Sequence, residues 1–237
     1  MQDAYTREAD MAIEQDEYGF YYNVTNRYMQ WGSDTAYYPD GGFYLPTNQY
    51  MQHNAEMVYT YLSEGENAWT FNAIMAVLGN MCKESAINPA QTQQGKDIGG
   101  RYGGYGLVMW TPQYKYRNWA RQHNVSVNLG YYQLIYLDTM GSEWIAKPAY
   151  NYMTWDEFKH GQHSVDYLTE AFFDCYERGN PLYASMDYRK YCAEYYAEYF
   201  GGYVPPEPPE PPTPPPYKPV NRKLPVWMMT RRHWWLK

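Results

Sequence analysis

Residues 66–89, ENAWTFNAIMAVLGNMCKESAINP, restrict this chain more than any other stretch. Phe71, Ile74, Met75, Leu78, Met81 and Cys82 recur at three- and four-residue steps, the period of one apolar helix face. Ala73 and Ala76 allow close packing. Pro89 forbids helix beyond about Asn88, because proline lacks the amide donor and disfavours helical backbone at the residue before it. Glu84 therefore falls in the last turn of a largely apolar helix, on the border of its buried face. The partial negative charge of a helix C-terminus disfavours an anion there, and apolar neighbours disfavour the charged form. Both effects favour a protonated Glu84, the state a glycosidase needs to protonate a leaving oxygen. The plainer alternative is that Lys83 and Glu84 form a solvated helix end.

The following stretch adds to this. Six glycines lie between Gly95 and Gly106: Gly95, Gly99, Gly100, Gly103, Gly104 and Gly106. Such density suits tight turns and backbone that approaches a ligand closely. A short apolar run, Leu107 to Trp110, then leads into Thr111-Pro112. On these residues the chain resembles the tail lysozymes of bacteriophages, virion-associated peptidoglycan hydrolases with a lysozyme-like fold. Gly79, Asn80, Glu84, Ser85 and Pro89 match the family's first segment. Gly104, Gly106, Leu107, Trp110, Thr111 and Pro112 match its second. Met109 departs from the pattern, standing where the family usually has glutamine. The resemblance covers roughly residues 51–200. It implies a mainly α, α+β lysozyme-like domain in which Glu84 acts as general acid on the β-1,4 glycan of the bacterial wall.

Composition bounds the remaining possibilities. A chain of 237 residues fits one domain of about 150 residues with extensions. A net charge of -7 argues against a general nucleic-acid binder. Aromatic content is 19%, with thirty tyrosines, which suits either sugar faces or protein contacts. Cys82, Cys175 and Cys192 show no paired spacing and read as small apolar core residues. The N-terminal MQDAYTREADM has no apolar signal region. No run reaches the roughly 18 apolar residues of a membrane span. A wall-cutting enzyme with no export signal would be packaged in a virion or released by lysis, and the virion is the localisation expected here.

Four parts are expected. Residues 1–50 are Tyr-rich, with Gly41-Gly42 as a turn between short strands, and read as an attachment segment or as a decorated part of the domain. Residues 51–202 hold the helical periodicity and are expected to fold alone. A first helix over 55–63 would be capped by Asn54. Thr154 and Glu157 have capping-box spacing. Further helices are expected from about Ser164 to Glu177 and from Asp187 to Phe200, with a small β-hairpin region beside Glu84. Residues 203–219 include ten prolines and read as a polyproline II spacer of about 45 Å, or as a ligand for a proline-binding module. Residues 220–237 are basic and aromatic. Trp227, Trp234 and Trp235 suit the groove of another tail protein, or a membrane interface or anionic wall polymer.

Other chemistry is weakly supported. Asp97, thirteen residues after Glu84, is the candidate second carboxylate; Gly-Lys-Asp-Ile-Gly is also ordinary turn chemistry. Tyr105 or Thr111 could instead position a water, and Tyr102, Tyr105 and Trp110 are the candidates to line a saccharide groove. His160 and His163 lack a third ligand at metal-binding spacing. The glycine stretch lacks the Gly-Lys-Ser/Thr of a phosphate loop, and G-x-S-x-G is absent. No cofactor is called for. The alternative to an enzyme is a structural tail protein with an inactive lysozyme fold.

Overall fold

A computed structural model of the protein describes residues 13–25, 31, 43–139 and 141–201. The proline run, the C-terminal segment and the Gly41-Gly42 turn lie outside the described residues. Among those described, seven α-helices accompany one two-stranded antiparallel sheet. The helices are α1 (Gln49–Ser63), α2 (Phe71–Ser85), α3 (Tyr114–His123), α4 (Gly130–Thr139), α5 (Trp155–His160), α6 (Val165–Phe172) and α7 (Met186–Gly201). The fold is mainly α, as the periodicity and the resemblance led one to expect.

Helix α2 is the axis of the molecule. Ile74, Met75, Leu78, Met81 and Cys82 are fully buried, and so are Ala73, Ala76 and Val77 on other faces. An amphipathic stripe buries one side; α2 is enclosed on nearly all of its sides, chiefly by α7 and α6, with α1 beside them. Gly79 makes the approach of α7 possible. A Cβ there would stand 2.4 Å from the Arg189 carbonyl oxygen and 2.8 Å from Ala193 Cβ. The helix stops at Ser85 because Ala86 takes left-handed backbone (φ 51°) and turns its amide back to Cys82 O at 3.1 Å. Glu84 thus occupies the last turn.

Other expectations are met or displaced locally. The capping box of Thr154 and Glu157 forms. Helix α1 starts earlier than expected, at Gln49, because Asn48 caps it by accepting from the Tyr50 and Met51 amides. Asn54, the expected cap, is instead buried inside α1. It accepts from Tyr21 N at 2.8 Å and donates to Tyr21 O at 2.7 Å and Ile87 O at 2.8 Å. The expected helix from Ser164 to Glu177 divides into α6 and a π-helical turn, Phe173–Glu177, closed by left-handed Arg178. The glycine-rich segment forms turns pinned by a single bridge, Thr92 to Tyr105. The sheet lies elsewhere, between β1 (Glu14–Gln15) and β2 (Tyr21–Tyr22).

Described residues before and after position 50 share one buried core. Phe20, Trp31 and Tyr44 belong to the buried core together with α1 and α2. Asn23 and Asn88 exchange two hydrogen bonds, at 3.2 and 2.7 Å. Trp31 Nε1 donates to Ala86 O at 2.9 Å, and Tyr188 Oη donates to Tyr44 O at 2.7 Å. Aromatic side chains that looked free to dock elsewhere fill the space between helices of their own domain.

Candidate active site

The two segments that carry the family resemblance meet at a cavity of about 300 Å³. Residues 83–86 at the end of α2 form one wall, residues 108–111 a second, and residues 176–179 a third. Four residues of the first segment besides Glu84 each have a physical job. Gly79 admits α7. Asn80, buried in mid-helix, donates to Ala76 O and Thr169 O, and its Oδ1 accepts from Arg189 at 2.8 Å. Ser85 Oγ reaches Leu107 O at 2.8 Å and so ties α2 to the second segment. Pro89 O accepts from Gln133 Nε2 at 2.6 Å, and Gln133 Oε1 accepts from Leu107 N at 2.8 Å. One glutamine side chain thus joins both segments.

Glu84 opens on the cavity with its side chain 21% exposed, and is ion-paired to Arg189, which is 2% exposed. Arg189 also donates to Asn80 Oδ1 and to Ala184 O at 2.7 Å, and stacks on Phe173 with 4.8 Å to the ring centroid. The Arg189 guanidinium is a partner of Glu84 that the sequence did not reveal. A second carboxyl group, Glu177, lies at the end of the π turn in the same cavity. Its Oε1 is buried and has no hydrogen-bond partner among the described residues. Burial pushes the Glu177 carboxyl well above the usual carboxylate range, and the charge of Glu84 pushes the same way, while Arg189 and Arg178 oppose. A third carboxylate, Glu143, is held by Lys115 at 2.8 Å and Arg178 at 3.2 Å. Lys83, beside Glu84, is lowered by burial, and its Nζ lies 4.4 Å from the Phe43 ring centroid.

The other expected site residues separate. Trp110 and Thr111 line the cavity. Trp110 Nε1 donates to Tyr176 Oη at 3.0 Å, and Thr111 Oγ1 donates to Met109 O at 2.9 Å. Asp97 lies on the exposed turn and is not among the lining residues. Tyr102 is 66% exposed and also outside the lining. Tyr105 is buried, with its hydroxyl turned to Asn128 Oδ1 at 2.6 Å and the Arg117 guanidinium 4.1 Å from its ring centroid. No group of three or more His, Cys, Asp or Glu among the described residues is placed to hold a metal. His160 pairs with Asp156, and His163 stacks on Tyr167.

Met109 borders the cavity, half-buried, with left-handed backbone (φ 50°). Met109→Gln is therefore expected to change stability by no more than about 0.5 kcal/mol in thermal melts, as at other positions with access to solvent. A loss of about 1–3 kcal/mol, the cost of a buried unsatisfied amide, would show that the side chain belongs to the core.

A mainly helical domain whose central helix ends in a carboxylate, facing a glycine-turn segment across a cavity, is a lysozyme-like architecture. The sequence pattern of the phage tail lysozyme family matches residues 53–200, and the chain belongs to that family. It is also 36% identical over 132 residues to Morphogenesis protein 1 of Bacillus phage B103. That match covers 54% of this chain and 34% of the relative, so the chain spans about a third of the relative's length. No helix among the described residues is long and apolar enough to cross a membrane.

Proposed function

We propose that the protein is a virion-associated glycoside hydrolase of lysozyme type. It cleaves the β-1,4 glycan backbone of peptidoglycan, with Glu84 as the carboxyl that acts at the glycosidic oxygen. The observation that carries this reading is the placement of Glu84. Both family segments converge on one open cavity, and Glu84 is the carboxyl of the first segment that faces it. Trp110 and Thr111 offer an aromatic edge and a hydroxyl for a saccharide. In this reading the terminal segments fasten the domain to other tail proteins, and the enzyme meets the wall during genome entry. A lytic transglycosylase, in which Glu84 serves as acid and base in turn, uses the same group.

Glu84→Gln preserves shape and an oxygen for Arg189 while removing the transferable proton. Cleavage of purified cell walls, followed by product masses, is expected to fall on the order of 100-fold or more. Equal rates for the two proteins would remove Glu84 from the chemistry. A second reading, a structural tail protein, is favoured by the Glu84–Arg189 pair itself, which locks α2 to α7 whether or not a glycan is cut. In that case the unaltered protein releases no glycan fragments, and Glu84→Gln changes only the melting temperature.

A further inference from the structure

We propose that Glu177 is a second working carboxyl of this site: it carries a proton at rest and shares it with Glu84. The chemistry rests on the glycosidase reading above; the location of the proton does not.

Three features place Glu177 in this role. It lines the same cavity as Glu84. Its Oε1 is shut off from solvent with no donor to satisfy it, an arrangement far costlier for a carboxylate than for a neutral carboxylic acid. It also closes a π-helical turn, where one extra residue re-aims the side chains of Tyr176 and Glu177 relative to a continuing α-helix. The charged groups acting on it or lining its cavity are Glu84 and Lys83 from α2, Arg189 from α7, Arg178 next in the chain, and the Lys115–Glu143 pair. The nearer cations are already engaged: Arg189 by Glu84, and Arg178 by Glu143. At Glu177, burial and the charge of Glu84 outweigh these two guanidiniums. A buried carboxyl with no donor to satisfy it is the group that keeps a proton.

One proton of the pair passes to the glycosidic oxygen as the C–O bond breaks, and that oxygen keeps the bonding electrons. Water adds its oxygen to the sugar carbon, and its released proton restores the pair. Glu84, the more exposed member, presents the proton; Glu177 holds it between turnovers.

Two measurements on Glu177→Gln test this. Glutamine is close in shape and neutral at every pH, so a merely structural role would be preserved. A carboxyl raised in the folded state loses stability as pH climbs past its ordinary value of 4.5 toward the folded value. Relative to Glu177→Gln, the unaltered protein should therefore lose about 3–5 °C of melting temperature per pH unit across that window. In wall cleavage, the alkaline limb of the rate profile should move down by about one pH unit or more in the variant, with about tenfold or greater loss at neutral pH and less at acid pH, where solvent supplies the proton. Parallel melting curves would overturn the resting proton. Diverging curves with an unchanged rate profile would overturn the working role. If the variant does not fold, infrared spectra of the unaltered protein at neutral pH decide: a persisting protonated-carboxyl band supports the proposal, and its absence overturns it. Diverging melting curves in a protein that cuts no glycan would overturn the glycosidase reading and the working role, and leave the resting proton standing.

Discussion

Arg189→Met is expected to cost the folded state about 3 kcal/mol, read as a fall in melting temperature of roughly 6–12 °C. Arg189 is 2% exposed, and four groups depend on it: Glu84, Asn80 Oδ1, Ala184 O and the face of Phe173. Methionine fills similar space and supplies none of the donors. Breaking a buried pair by removing one partner costs about 3–5 kcal/mol, because the remaining charge loses its compensation. The lower end applies here, since Glu84 is 21% exposed and recovers some hydration. Removing the orphaned charge as well, in Arg189→Met with Glu84→Gln, should restore part of the loss. Denaturant titrations of the two single variants and the double variant give the coupling directly. Additive losses would mean that Arg189 acts through packing and not through Glu84.

The second large effect concerns the first fifty residues. A chain reduced to 51–202 loses Phe20, Trp31 and Tyr44 from the core, along with the Asn48 cap of α1. Burying an aromatic or large aliphatic side chain contributes roughly 1.5–3 kcal/mol, and an N-cap about 1 kcal/mol. The loss of about 5–10 kcal/mol matches the whole stability of many domains. The truncation also strips partners from Ala86 O, Asn54 and Asn88, all close to the end of α2. The fragment 51–202 is thus expected to lack a cooperative thermal transition, whereas 13–202 should retain one. A fragment 51–202 that melts within a few degrees of the longer chain would show that the N-terminal segment only decorates the domain.

Helix α2 could be read in advance because its information is local: apolar spacing, a proline stop, and a carboxylate in the wrong company. Arg189 could not. In the sequence it is one cation in a polar, Tyr-rich helix, and it becomes buried only because Gly79 and Asn80, more than a hundred positions earlier, leave it space and an acceptor. A signal did exist. Glycine and asparagine in the middle of an apolar helix are poor helix formers, so their presence asks for a close neighbour and a buried polar partner. Glu177 gave no such sign. It stood at the end of the helix expected from Ser164, and the π turn that aims it inward has no sequence signature comparable to a cap. Asp97 shows the reverse: good turn chemistry was legible, and a turn is what formed, on the exposed side of the glycine segment. Tyr105 was visible as an aromatic but not by its direction, which depends on the distant Asn128.

Trp31 and Asn54 hold the carbonyls of Ala86 and Ile87, the two left-handed residues at which α2 stops. The last turn of α2, with Glu84 in it, is therefore moored to Trp31, which precedes the first described helix, and to α1 through Asn54. One hydrogen bond and two residues of backbone separate the Trp31 ring from Glu84. Trp31, which precedes every described helix, therefore fastens the stop of the central helix.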